Sequence, residues 1–154
     1  MVAVGDRVPD IALTTAEGET VSPADFRGNK LVVYFYPKDD TSGCTREAKD
    51  FTALAEQFEE AGTWVVGVSR DSPASHAKFA RKHDLRVRLL SDEDGSASAA
   101  FGTWVEKSMY GRKYMGIERA TFLIDRDGTI ARIWRKVKVP GHAEEVLAAA
   151  QELP

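Results

Sequence analysis

The sequence predicts an α/β sandwich with a mixed central sheet. Three observations carry that reading. Residues 31–36 and 64–69 are apolar runs without polar alternation, the character of strands buried on both faces. Amphipathic helical patterns alternate with such runs along the chain. Toward the C-terminus two further β-rich runs, 120–124 and 129–134, flank the turn signal Asp127-Gly128, so antiparallel strands join the parallel ones.

Taken in order, residues 1–30 are a turn-rich opening. Ile11-Ala12-Leu13-Thr14 is a strand candidate, Glu17-Gly18 a turn, and Thr20-Val21 a returning partner. Ser22-Pro23 reads as an N-cap and first helical residue of a short turn through Phe26, which Gly28 closes. The apolar run 31–36 ends at Pro37. From Ser42 a helical face follows: Cys44, Ala48, Phe51, Ala55 and Phe58, widened by Leu54 and capped by Gly62. The strand 64–69 comes next. Ser72-Pro73 opens a helix to about His83 with Ala77, Phe79 and Ala80 facing inward. Val87, Leu89 and Leu90 make a short strand, and residues 96–101 an Ala-rich helix closed by Gly102. Residues 103–118 have no clean period and read as a loop or ribbon that leaves Met109, Tyr110, Tyr114 and Met115 exposed or half exposed. After the closing hairpin, Pro140-Gly141 breaks the chain. A last helix over 142–153 turns Val146, Leu147 and Ala150 inward.

The bulk numbers narrow the function. A length of 154 residues suits a single domain, 1–154, with no repeat or linker. Hydrophobic content of 43% and charged content of 29% are those of a soluble globular chain. A net charge of −3 without a basic patch argues against nucleic acid as a partner. The N-terminus lacks a secretory pattern and the longest apolar run is too short to span a membrane, so a cytoplasmic protein without membrane attachment is expected. One cysteine excludes an internal disulfide and Cys-x-x-Cys chemistry. Three scattered histidines beside it make no metal site, and no cofactor is expected.

That cysteine lies in the stretch the chain is organised around, residues 37–47, between a buried strand and a long helix. A sulfur at a helix N-terminus meets unpaired N–H groups and the positive end of the helix dipole, both of which favour the nucleophilic thiolate. The crevice beyond the carboxyl end of a strand is also where open α/β sheets bind ligands. A plain reading stands beside this one: Cys44 continues the inward face of its helix, as buried free cysteines do. Thr41 can aim a hydroxyl at a substrate oxygen or simply cap the helix. Pro37 can stiffen the loop and shield the sulfur from water, or merely end the strand. Asp39 and Asp40 oppose a thiolate if they are close, so a cation is needed. Arg46 points off the Cys44 face and is a solvated residue. Arg119, opening the strand 120–124, is either a solvated strand-end arginine or a cation over the crevice.

Pro37-x-x-x-Thr41-x-x-Cys44 resembles the active-site pattern of peroxiredoxins, thiol peroxidases with a thioredoxin-like fold. Tyr34-Phe-Tyr-Pro-Lys-Asp-Asp-Thr41, Gly43-Cys-Thr, Glu47-Ala48 and Phe51 are similar to one branch, the bacterioferritin comigratory protein or peroxiredoxin Q group. So are Gly67-Val-Ser69, Asp71-Ser72, Ser75-His76, Glu106-Lys107, Met109-Tyr-Gly111, Tyr114-Met-Gly-Ile117, Arg119, Thr121-Phe-Leu-Ile-Asp125, Val137-Lys-Val139 and Gly141-His142. The resemblance covers nearly the whole chain. It implies a thioredoxin-like peroxiredoxin sandwich with helices flanking the sheet. It also implies Cys44 as the peroxidatic cysteine, Thr41 as the hydroxyl that orients the peroxide, Pro37 as the shielding proline, Arg119 as the stabilising arginine and Glu47 as a support for it.

Two departures shape the expected cycle. Many members of the branch carry a resolving cysteine five residues after the first, where this chain has Lys49. Others carry it in the next long helix, where Phe79 and Ala80 stand. The chain thus resembles a one-cysteine variant. Its partners are then a peroxide (hydrogen peroxide or an organic hydroperoxide) and an external thiol reductant: thioredoxin, glutaredoxin or a low-molecular-weight thiol. Ser42 stands where the group usually has proline, which should loosen the loop and remove no catalytic group. A monomer is expected, since no long exposed apolar stripe appears. The alternative is a redox sensor or adaptor that joins a partner through Cys44 by a mixed disulfide.

Overall fold

The computed structural model describes all 154 residues. In chain order the elements are β1 (Leu13–Thr15), β2 (Thr20–Val21), a 3-10 turn (Pro23–Phe26), β3 (Lys30–Phe35), α1 (Ser42–Ala53), α2 (Ala55–Glu60), β4 (Thr63–Ser69) and α3 (Pro73–His83). They continue with β5 (Arg88–Ser91), α4 (Ser96–Phe101), β6 (Trp104–Met109), β7 (Arg112–Ile117), β8 (Ala120–Ile124), β9 (Ile130–Trp134) and α5 (His142–Glu152). Seven strands form one sheet in the order β2-β1-β5-β4-β3-β8-β9, and β6 pairs with β7 as a separate ribbon. β3, β4 and β5 run parallel, and the other pairings are antiparallel. The predicted mixed sheet flanked by helices is therefore the observed fold.

The period-2 geometry of β3 divides the core. Leu31, Val33 and Phe35 face one apolar layer with Phe101, Phe122 and Ile130. Val32, Tyr34 and Tyr36 face the other, with Cys44, Phe51, Phe58 and Phe79 from α1–α3 and Val146 from α5. Every β3 residue is buried, which is why its sequence shows no alternation. Its first residue, Lys30, is buried too. Its ammonium donates to the Ala150 and Leu153 carbonyls (2.6 and 2.8 Å) and so caps the end of α5.

The helix signals hold locally. Ser72 accepts from the Ser75 N–H at 3.1 Å with Pro73 in the first turn, and Ser22 forms a reciprocal capping box with Asp25. Three expectations are corrected. The single helix after Cys44 is two, because Leu54 leaves the helical range (φ −102°, ψ 8°). Phe51 and Phe58, one on each side of the break, lie with ring centroids 5.8 Å apart. On α3 Phe79 is buried and Ala80 packs half-buried against the same layer as expected, whereas Ala77 is only half-buried and His76 is the other buried residue. Trp64, the second residue of β4, is exposed, stacked under Arg88 and edge-on to Phe26, rather than inside the core.

Residues 103–118 show no period because they form a two-stranded ribbon outside the main sheet. Tyr110 and Gly111, both left-handed (φ 52° and 76°), join its strands as a two-residue hairpin. Met109, Tyr110, Tyr114 and Met115 are exposed on it. No helix is long and apolar enough to cross a membrane.

β4 and β3 lie in register with Gly67 beside Tyr34, and a Cβ at Gly67 would stand 2.6 Å from the Tyr34 ring. Gly67→Ala should lower stability by about 1–3 kcal/mol through overpacking, read from urea denaturation midpoints. An unchanged midpoint would show that the Tyr34 ring can move aside.

Candidate active site

Two strand ends meet at the site. β3 and β8 are antiparallel with Phe35 opposite Ala120. The carboxyl end of β3, which leads into the Cys44 loop, therefore lies beside the residue that precedes β8. That residue is Arg119, and its carbonyl is held by the Val137 N–H at 3.0 Å. The register thus brings a side chain 75 positions away in sequence to the first turn of α1.

Cys44 is the third residue of α1 and only 2% exposed. Arg119 spreads its guanidinium between two groups. One nitrogen, Nη2, donates to Cys44 Sγ at 3.5 Å, and Nη1 donates to Glu47 Oε1 at 2.7 Å. Glu47 follows Cys44 by three residues and so lies on the same helical face. Gly43 leaves room for the approach, since a Cβ there would stand 3.2 Å from Arg119 Nη2. A planar fork with several donors suits this two-way contact, and a lysine would not.

Burial sets the charges. It pushes the Glu47 carboxyl up to about 7, against the opposing pull of Arg119. Burial also acts to lower the Arg119 value, but the Glu47 carboxylate and the Cys44 sulfur outweigh it and raise it. The second oxygen of Glu47 and the Tyr34 hydroxyl are buried without partners. Burial, then Glu47 and then Cys44, raise Tyr34 well above the usual phenol range, so it stays neutral. On the ribbon, burial and the Arg119 charge lower Lys107, an effect that no periodicity in the sequence signals.

Thr41 occupies the N-cap position of α1 but makes no side-chain cap. Its hydroxyl donates instead to the Lys38 carbonyl at 2.9 Å. The first-turn N–H groups are thereby left without a side-chain acceptor, a natural place for developing negative charge. Pro37 lies exposed in the bend after β3. Arg46 is exposed, as its position on the helix implies.

Asp39 and Asp40 do not oppose charge on the sulfur in the way their sequence position suggests. Asp39 is buried and accepts hydrogen bonds from Tyr36 and Ser75, with His76 Nδ1 at 2.7 Å. Asp40 pairs with Lys82 at 2.6 Å and His83 at 2.7 Å. Both are turned onto α3 and compensated there. No three His, Cys, Asp or Glu side chains are grouped to hold a metal ion.

The raised Glu47 value carries a stability signature. Its ordinary value is 4.5 and its folded value about 7, so the folded state holds the proton more tightly. That contribution is fully present below about pH 4.5 and is lost as pH rises through about 7. Wild-type unfolding free energy from urea titrations should fall across this window by up to roughly 3 kcal/mol, at 1.36 kcal/mol per pKa unit. Glu47→Gln should flatten the slope, and identical slopes in the two proteins would remove Glu47 as its source.

Comparison with known proteins shows the family. The AhpC/TSA family model matches residues 4–133. The chain is 47% identical over 146 residues to the putative peroxiredoxin bcp of Coxiella burnetii, covering 95% of this chain and 97% of that one. It is 45% identical over 152 residues to peroxiredoxin Bcp of Bacillus subtilis, covering 99% and 97%. Among solved structures it superposes on the Xanthomonas campestris bacterioferritin comigratory protein with a TM-score of 0.91 at 44% identity, covering 97% and 98% of the two chains. The chain therefore belongs to the AhpC/TSA family as a single-cysteine peroxiredoxin similar to the bacterioferritin comigratory proteins, and it is a thiol-dependent peroxidase.

Proposed function

We propose that Cys44 is the peroxidatic sulfur and that this peroxidase reduces hydrogen peroxide and organic hydroperoxides. The observation that carries the reading is the divided contact of Arg119, 3.5 Å from the sulfur and 2.7 Å from Glu47. The Xanthomonas campestris relative has alkyl peroxide reduction activity, which supports including organic hydroperoxides.

In the first step the Cys44 thiolate attacks the terminal peroxide oxygen. The S–O bond forms as the O–O bond breaks, giving Cys44 sulfenic acid and an alkoxide or hydroxide that takes up a proton. Charge passes from sulfur to the leaving oxygen. Arg119 lies 3.5 Å from the sulfur and the uncapped N–H groups belong to the same first turn of α1, so both can stabilise charge that develops on the leaving oxygen. Thr41 leaves the Lys38 carbonyl to bind and orient the peroxide. Pro37 stiffens the exit from β3 and shields the loop. Glu47 positions Arg119.

The second step needs an external thiol, because Cys44 is the only cysteine. A thiol attacks the sulfenic acid with loss of water, forming a mixed disulfide. A second thiol releases Cys44 and leaves as the oxidised disulfide. Thioredoxin, glutaredoxin or a low-molecular-weight thiol fills this role, and the protein works as a cytoplasmic monomer built as one domain over residues 1–154.

Peroxide consumption with excess dithiothreitol should vanish in Cys44→Ser; activity equal to wild type would end this reading. Arg119→Ala should slow the oxidation step by about 10²–10³-fold, the scale of losing one oxyanion donor. Its fold should survive, because Glu47, with a value of about 7, can take a proton when its partner goes. An unchanged oxidation rate would remove Arg119 from the mechanism.

A further inference from the structure

The two halves of the site ride on different elements. Cys44 and Glu47 belong to α1, and Arg119 stands at the entrance of β8. The 3.5 Å contact between Arg119 and the sulfur therefore depends on how far α1 stands from the end of that strand.

One buried side chain outside the site touches both elements. His142 opens α5 and is 5% exposed. Its Nε2 shares a 2.8 Å hydrogen bond with the Thr121 hydroxyl, the only hydrogen bond the ring makes. Thr121 follows Arg119 by two residues, so the two side chains leave the chain on the same face of the sheet. The His142 ring also stands edge-on to Phe51 at 6.2 Å and to Trp134 of β9 at 5.9 Å. Phe51 follows Glu47 by four residues, one turn further along the same face of α1.

These contacts close a ring. Phe51 stacks on Tyr34 with centroids 4.7 Å apart, and Tyr34 lies opposite Thr121 in the register of β3 and β8. Tyr34, Thr121, His142 and Phe51 are all buried, so the ring has little freedom to change shape. The backbone adds a second tie. The Val137 N–H holds the Arg119 carbonyl at 3.0 Å, and the His142 N–H returns to the Val139 carbonyl at 3.1 Å. The strap leading into α5 is thus bonded to Arg119 at one end and carries His142 at the other. Burial pushes the His142 imidazole down to about 4, against the pull of Glu145, so the ring is neutral and brings no charge of its own toward Arg119. Its influence on the site is one of distance.

We propose that His142, acting through Thr121 and Phe51, is a positioning residue for Arg119: it fixes the spacing between α1 and the entrance of β8 that keeps the guanidinium within reach of the Cys44 sulfur. The proposal rests on the reading that Arg119 stabilises the Cys44 thiolate. Its signature is that the effect of His142 on the chemistry passes through Arg119. A histidine that only packed the core would lower stability whether or not Arg119 were present.

The test compares wild type, Thr121→Val and His142→Leu, with each substitution made again in Arg119→Ala. Thr121→Val removes the hydroxyl and keeps the branched shape, so it carries the test if His142→Leu does not fold. Oxidation is followed as loss of free Cys44 thiol after mixing with hydrogen peroxide, across a range of pH. With Arg119 in place, each substitution should slow oxidation by about tenfold, the scale of a small misplacement of reacting groups. Each should also move the half-maximal pH of the oxidation rate upward, because a cation drawn away from a thiolate favours the thiol. In Arg119→Ala the same substitutions should change neither quantity, since the residue they position is gone. Unchanged oxidation, an unmoved pH profile, or equal slowing with and without Arg119 would each overturn the assignment. Should Arg119→Ala alone oxidise like wild type, the reading of Arg119 fails and the role of His142 with it. A failed role for His142 leaves the loss in Arg119→Ala intact.

Discussion

The forked contact of Arg119 with Glu47 and Cys44 is the constraint on which the site depends. It joins a strand entrance, a helix first turn and a buried carboxyl into one unit. None of the three would sit comfortably alone. A buried carboxylate without a partner is costly, a half-buried guanidinium also loses hydration, and a sulfur without a cation beside it is a weaker nucleophile. Each group is the others' solvent. Gly43 suits the divided fork, since a Cβ there would crowd the guanidinium at 3.2 Å.

Sheet topology makes this meeting possible without long loops. β3 is parallel to β4 and antiparallel to β8, so its carboxyl end lies beside the entrance of β8. A purely parallel sheet would put the preceding residue of its neighbour at the opposite end. The closing antiparallel strands are thus a functional part of the fold. The two faces divide the work. One layer of side chains packs under α4 and the ribbon, while the other carries α1, α2, α3 and α5 and with them the site.

Much of this was legible in the sequence, for identifiable reasons. The strands 31–36 and 64–69 announced themselves by lacking alternation, and α3 by Ser72-Pro73, because burial and capping are local signals. Cys44 stood out by its place between a strand and a helix. Arg119 did not: taken alone it is a strand-end arginine, and only the resemblance singled it out, since the register that places it is a property of the sheet. The break at Leu54 was hidden because the helical face stays in phase across it. Asp39 and Asp40 were read as neighbours of the sulfur because sequence shows proximity but not direction. The side chains that compensate them, His76, Lys82 and His83, lie more than thirty positions away on α3.

The single cysteine has a consequence for how the protein behaves as a population. With Lys49, Phe79 and Ala80 where a second sulfur would serve, no oxidised molecule can store its oxidation as an internal disulfide. Each sulfenic acid waits for an encounter with a thiol. The waiting time therefore scales inversely with thiol concentration, while the chance of a second peroxide hit, and irreversible sulfinic acid, scales with peroxide. The ratio of the two concentrations, rather than either alone, sets how many turnovers a molecule completes before it is lost.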